Sequence, residues 1–473
     1  MTITDQPATF HQPPTRLNAL HEATILHSSF FHRPPDAADT PSSSPPRNER
    51  ICLGGHRETI FGISFSPDGK YLATASQDST IRIWESRSNR LVETLSEGMD
   101  VNYECLRVAW RKSGLVKDAN AEEEETYLLA SAGADGILRL WSAIFREERE
   151  KLQWKLVGTK DHYQLLDSNA SASETEDRPQ IYSLQFVQSP SFPNSTLLMT
   201  SADDAIFLWN IKNSIGTDKT KEITSHLSLQ FSHLDPSLAT NVNQFGGPRN
   251  PDNDLFVFDA SYSEVNDLVG AALSDGTCRI VSLSHSGGPN DETQDREHGH
   301  SLYEKQCVLS LPANYFPGTT GGHLTALSWD SSGTRVATCI ASGKVVLWSI
   351  QMMMREDGSQ FLYPSCAAIL EGGHDVHRPL FGARYYGRKN EELVLTWGVD
   401  GKVCVWDSYS VGLVTSPLCT LISHSAYPIY ALDFTQTRSH HAESSPDLQR
   451  GCLAIGGGSD GGFLGVPAYL YDI

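Results

Sequence analysis

Hydrophobic residues along this chain come in short bursts separated by turn residues. The clearest stretch runs Gly55-His56, Ile60–Phe65, Ser66-Pro67-Asp68-Gly69, Tyr71–Ser76, Asp78, a run at 80–84 ending on Trp84, and a further run at 91–95. The bursts are rich in Ile, Phe, Tyr, Thr and Trp, which suit a pleated, half-buried surface. The spacers are Gly, Pro, Asp and Ser, which turn the chain. Four short strands joined by tight turns are predicted. No apolar run reaches the roughly 18 residues of a membrane-spanning helix.

The same unit recurs. Asp78 precedes Trp84 by six residues, and Asp135–Trp141, Asp203–Trp209 and Asp400–Trp406 repeat that spacing. Asp275 stands six before Val281, and Ser342, in place of the acid, six before Trp348. Asp460 precedes Tyr471 by eleven, with 461–467 as an inserted turn. The third-strand anchors lie 57 to 72 residues apart, more than the roughly 40–45 of a minimal four-stranded repeat, so the surplus belongs in loops.

This pattern resembles the WD repeat. The resemblance implies an all-β fold: a seven-bladed β-propeller of four-stranded antiparallel blades, with long loop insertions and a disordered N-terminal tail over residues 1–48. The blades are expected at 58–95, 102–157, 180–231, 255–311, 323–370, 379–422 and 427–473. The last blade ends on its third strand, and residues 49–53 are expected to supply the fourth and close the ring, since an open sheet edge would otherwise remain.

In the WD family the turn Asp accepts a hydrogen bond from a His ahead of the first strand, and a second-strand Ser or Thr and the third-strand Trp complete a buried network. The resemblance assigns these roles to His56, Ser76 (or Thr74), Asp78 and Trp84, and to His374, Thr396, Asp400 and Trp406. Asp135, Trp141, Asp203, Trp209 and Trp348 are the matching positions elsewhere. His323 has only Ser342 to face, and the third and fourth blades lack a clear partnering His. Because the His/Asp/Ser set recurs, it reads as a clamp rather than as a catalytic triad.

Composition narrows the function. The formal net charge of −20 argues against a chain that coats nucleic acid, which needs a basic field to displace phosphate counterions. Nine cysteines without a C-x-x-C fit reduced thiols of the cytosol or nucleus rather than a disulfide framework or zinc site. No metal or cofactor constellation stands out, and the chain is not expected to be an enzyme. Insertions are expected at 112–126, 212–225, 284–304, 351–362 and 435–450 on one face, and at 158–179 and 232–254 on the other. The acidic run Glu122, Glu123, Glu124 and Glu125 is a candidate loop for steering a basic partner.

The leading expectation is a non-enzymatic scaffold that mediates protein–protein interactions in a multiprotein complex. Trp84, Glu85 and Arg87 also resemble the box by which WD proteins dock to the adaptor of cullin-4 ubiquitin ligases, which would make the chain a substrate receptor. A third expectation is a non-catalytic subunit of an RNA-processing or tRNA-modification complex, with the negative charge arguing against direct RNA contact.

Overall fold

The turn residues behave as their chemistry suggests. Gly69 adopts φ 68°, and its amide donates to the Ser66 carbonyl at 2.8 Å, closing the turn between Ile60–Phe65 and Tyr71–Ser76. Gly333, at φ 68°, repeats this with Asp330. A residue with a Cβ is strained at that φ, so glycine fits.

The computed structural model describes residues 51–111, 125–146, 151–162, 180–193, 195–213, 221–230, 255–283, 306–309, 322–356, 360–376, 378–386, 392–423, 428–437, 450–457 and 468–472. The predicted tail and most of the predicted insertions lie outside these residues.

The described strands build sheets in chain order, each counted from its first strand. Sheet one is Ile60–Phe65, Tyr71–Ser76, Ile81–Glu85 and Arg90–Leu95. Sheet two is Cys105–Trp110, Glu125–Gly133, Ile137–Arg146 and Lys151–Asp161. Sheet three is Ile181–Val187, Thr196–Ala202, Ala205–Asn213 and Lys221–Gln230. Sheet four is Val257–Ser263, Leu268–Leu273, Cys278–Ser282 and Gln306–Leu309. Sheet five has Leu324–Trp329, Arg335–Ile340, Val345–Met354 and Gln360–Leu370, and sheet six has Leu380–Tyr386, Leu393–Gly398, Lys402–Asp407 and Cys419–Ser423. Sheet seven has Ile429–Thr437, Arg450–Gly457, Ala468–Asp472 and then Ile51–Leu53, which runs antiparallel to Ala468–Asp472 with Cys52 opposite Tyr469.

The expectation of four strands in every blade is corrected at sheet five. Gly412–Val414, from the connection between the third and fourth strands of sheet six, adds there as a fifth strand, parallel to Gln360–Leu370. The other six sheets have four strands. The insertion expected at 351–362 is corrected too. Its flanks pair as a hairpin out to Met354 opposite Gln360, because an extended backbone satisfies its own amides and carbonyls by pairing. Strands likewise extend into the ranges expected as loops at 112–126, 158–179, 212–225 and 435–450, reaching Glu125, Asp161, Asn213, Lys221, Thr437 and Arg450.

The core is divided into layers, each between two successive sheets. Ala73, Ile81 and Ile83 of sheet one meet Val108, Trp110 and Trp141 of sheet two. The same holds from two to three, three to four, four to five, five to six and six to seven. Leu53, Ala431 and Ala454 of sheet seven then pack on Ile60, Phe65 and Trp84 of sheet one. Every sheet thus buries both faces, which is why Leu268–Leu273 is buried at all six positions instead of alternating. A sheet taken alone would expose two apolar faces, so stability depends on each having two neighbours.

Polar contacts register neighbouring sheets. The Trp110, Trp329 and Trp397 indoles donate to the carbonyls of Ser64, Ser261 and Tyr430 on the adjoining first strand. The Asp433 carboxylate accepts the Phe65 amide at 2.7 Å and pairs with Arg384, joining sheets six, seven and one.

Candidate functional site: buried clamps and the faces they position

His56 lies directly after the closing strand, and its ring reaches into sheet one. Nδ1 is 3.0 Å from Asp78 and Nε2 is 2.8 Å from Thr74 Oγ1, while the Trp84 indole donates to the same Oγ1 at 3.0 Å. A carboxylate can only accept, so Nδ1 carries the proton toward Asp78. Thr74 then takes the indole hydrogen and, with a neutral ring, gives its own to Nε2. Thr74, not Ser76, bridges His and Trp. Ser76 is buried, donates to the Glu58 carbonyl and accepts the Asp78 amide. Successive strand residues alternate between faces, and positions 74 and 76 share one, so sequence alone left both open.

Sheet six repeats the arrangement. His374 Nδ1 is 3.0 Å from Asp400, Nε2 is 2.8 Å from Thr396, and Trp406 donates to Thr396 at 2.9 Å. The Asp375 and Lys402 amides also donate to Asp400. The side chains of His374 and Asp400 are fully buried.

Sheet three also has its histidine, correcting the expectation that it lacks one. His162, at the end of sheet two's last strand, stands 2.8 Å from Thr200, which accepts from Trp209. Its Nδ1 faces the Gly136 carbonyl at 3.2 Å rather than an acid, and burial lowers its pKa to about 4, so the ring is neutral. Residue 162 falls inside a range read as an insertion, and the long separation from Thr200 hid the pairing. Asp203 takes φ 48° in the turn, and its carbonyl accepts the Val257 amide at 2.7 Å.

Sheets two and four solve the turn differently. Asp135 pairs with Arg139 at 2.6 Å and Asp275 with Arg279 at 3.2 Å. Arg139 also donates to the Gly98 carbonyl, and Trp141 donates to Ser131 at 2.9 Å. The Asp-x-x-x-Arg spacing does not by itself signal this substitution, since Asp78 and Arg82 share it while Asp78 pairs with His56. In sheet five Trp348 donates to Thr338 at 2.9 Å, and His323 packs on the Phe258 ring.

The other predicted residues are positioned less directly. Trp84 is buried, Glu85 is half-buried and bonded to Ser88 at 2.5 Å, and Arg87 is exposed. Of the three, only Glu85 and Arg87 present surface to a partner. Glu125 opens the second strand of sheet two; Glu122, Glu123 and Glu124 lie outside the described residues. Cys105, Cys278, Cys307, Cys339, Cys366, Cys404 and Cys419 are free. Burial raises Cys105, Cys307 and Cys404 to about 12, so these thiols stay protonated and unreactive.

Two kinds of acid response follow. Burial works against charge at Asp78 and Asp400, but the hydrogen bonds from His56 or His374 and from nearby amides outweigh it and hold both carboxyls below the usual range. A group depressed in the folded state contributes its full stability above the unfolded value, near pH 4, and loses it as pH falls further. Acid unfolding monitored by tryptophan fluorescence is expected to steepen below about pH 4, and Asp78→Asn should flatten that limb. Asp259 behaves oppositely. Burial raises it to about 6, against the Leu327 amide and Arg107, so its ionisation opposes folding as pH rises toward that value. A carboxyl carbon resonance for Asp259 titrating near pH 6 is expected by NMR.

Among the described residues there is no cluster of three or more metal-ligating side chains and no helix long and apolar enough to cross a membrane.

Known proteins share the repeat. The family model "WD domain, G-beta repeat" matches residues 48–85 and 306–349. Coronin-7 of Bos taurus is 40% identical over 90 residues, covering 18% of this chain and 10% of coronin-7. WD repeat-containing protein 1 of Bos taurus is 39% identical over 72 residues, 14% of this chain and 12% of that protein. Protein transport protein sec13 of Aspergillus clavatus is 31% identical over 108 residues, 22% of this chain and 31% of sec13. The chain therefore matches under a third of the length of each of these relatives. With the Trp–Thr–His–Asp clamps and the sequential four-stranded sheets, these matches show that the chain carries WD repeats and folds as a β-propeller of the kind they build.

Proposed function

We propose that this chain is a non-enzymatic scaffold: a seven-bladed ring over residues 49–473, with residues 1–48 outside it, that holds other proteins together in a complex of the cytosol or nucleus. One observation carries this reading. The recurring acid–base constellation is consumed by the fold, with His56 and His374 buried and bonded at both ring nitrogens. What the clamps leave available is surface, held rigidly by the layers between sheets. Affinity purification of the tagged full chain with cross-linking mass spectrometry tests it. A reproducible set of near-stoichiometric proteins cross-linked to the loop faces is expected; a chain recovered alone, under gentle lysis and at its native level, overturns the reading.

The exposure of Arg87 beside the half-buried Glu85 supports a second reading, docking to a cullin-4 ligase adaptor. Co-precipitation of that adaptor with wild type and its loss in Arg87→Ala are expected. Equal recovery with both, or none with wild type, discards the docking.

A further inference from the structure

Three repeats carry an arginine four residues after the turn aspartate: Arg82, Arg139 and Arg279. Arg139 and Arg279 pair with their own acids, at 2.6 Å and 3.2 Å. Arg82 does not, because its acid is taken. Asp78 accepts from His56 Nδ1, from the Arg57 amide, and from the Thr80 amide and hydroxyl. Among the described residues the Arg82 guanidinium has no hydrogen-bond acceptor and no ion pair, and its Nε is buried. A guanidinium stays charged at physiological pH and carries donors only. A buried donor without an acceptor is costly, and a fold that retains one calls for an explanation.

The surroundings of this cation form a seat. Gly55 lies against it: a Cβ there would stand 2.0 Å from Arg82 Nη1, so a side chain at 55 would push the guanidinium from its place. Gly54 is exposed, and a Cβ on it would meet nothing within 4 Å, so the approach is open. Thr94, on the fourth strand of sheet one, pairs directly opposite Arg82. Their side chains therefore share a face of the sheet, with Cβ atoms about 5 Å apart. Thr94 is exposed, and its hydroxyl has no bond among the described residues. A charged donor and a free hydroxyl thus stand side by side without an acceptor.

We propose that Arg82 and Thr94 seat one carboxylate, an Asp or Glu side chain presented by a partner protein. A carboxylate offers two acceptor oxygens and one negative charge, which matches a guanidinium and a hydroxyl. An apolar side chain would leave the guanidinium unpaired, and a neutral amide would set donors against donors. A phosphoryl dianion carries about twice the charge of the single guanidinium, with the Asp78 carboxylate in the adjoining turn to oppose the excess. The net charge of −20 acts against an acidic partner at a distance. Physiological salt screens that field over about 8 Å, and the local cation decides the contact. The inference rests on the scaffold reading and adds the chemistry of the partner.

The test uses the full chain on an array of varied 12-residue peptides. Each carries a central Glu and is matched to copies with Gln or phosphoserine there. Wild type should prefer the Glu copy to the Gln copy by about tenfold on the peptides it binds, the scale of one charge-assisted pair. It should not prefer the phosphoserine copy to the Glu copy. Arg82→Gln should bring the preference for Glu to near unity. That change breaks no bond of the fold, so the melting temperature should hold, whereas Arg139→Gln, which breaks the pair with Asp135, should lower it. Should Arg82→Gln fail to fold, Thr94→Val, an exposed change on the outer strand, should still lower the preference several-fold. Equal binding of Glu and Gln copies, no peptide bound at all, tighter binding of the phosphoserine copies, or an undiminished preference in Thr94→Val and folded Arg82→Gln overturns the inference. If affinity purification still recovers partners, the inference fails and the scaffold reading stands. A chain recovered alone fails both.

Discussion

Asp400→Ala is expected to destabilise the protein by about 3–5 kcal/mol, the cost of removing one partner from a buried polar pair. Asp400 accepts from His374, from the Asp375 amide and from the Lys402 amide. Its loss leaves three donors without their acceptor, the His374 ring fully buried and the two amides partly so, and each unsatisfied buried group costs about 1–3 kcal/mol before relaxation. The damage should spread along the relay, because Thr396 serves both His374 and Trp406. Asp400→Asn should recover part of the loss, since its amide oxygen still accepts from Nδ1. Asp78→Ala should cost less than Asp400→Ala. The Asp78 side chain keeps 9% exposure, against none for Asp400, so water can replace some of its bonds. Urea unfolding followed by tryptophan fluorescence measures all three. Equal midpoints for Asp400→Ala and wild type would show that the clamp contributes nothing net.

The second large effect is expected at the closure. Deleting residues 1–53 removes the strand Ile51–Leu53 and leaves Ala468–Asp472 as an unpaired edge. It also strips Leu53, 2% exposed, from a cluster with Ile60, Ile63, Trp84 and Ala431. Leu53→Ala alone should cost about 2–5 kcal/mol as a buried leucine truncation. The deletion should cost more, because the interface between sheets seven and one loses its outer strand as well. An exposed strand edge also templates pairing with another chain, so light scattering should show association along with a lower melting temperature. A monomeric deletion variant that melts with the full chain would show that the ring does not depend on this strand.

Much of this was legible in the sequence because strands and turns are local. Alternation and turn chemistry within a few residues identified Ile60–Phe65, Tyr71–Ser76 and their counterparts, and the six-residue Asp–Trp spacing marked the repeat. The clamps of sheets one and six could be named because their His, Thr, Asp and Trp keep the family spacing. His162 could not, since nothing local ties it to Thr200 across the intervening residues. Ser76 and Thr74 could not be separated either, for they share a strand face. The fifth strand of sheet five was invisible. Gly412–Val414 has no strong pattern and pairs with a strand of a different repeat only after the ring has formed.

The sequence by itself determined the repeat, the strand and turn positions, and the residue types that make a clamp, because each depends on neighbours a few residues away. The tertiary structure alone decided which histidine serves which sheet, that arginine replaces histidine at Asp135 and Asp275, and that a strand of one repeat completes another. It also left Arg82 without the acid that Arg139 and Arg279 keep. Those outcomes depend on residues tens to hundreds of positions apart that meet only when each sheet has buried both of its faces against its neighbours.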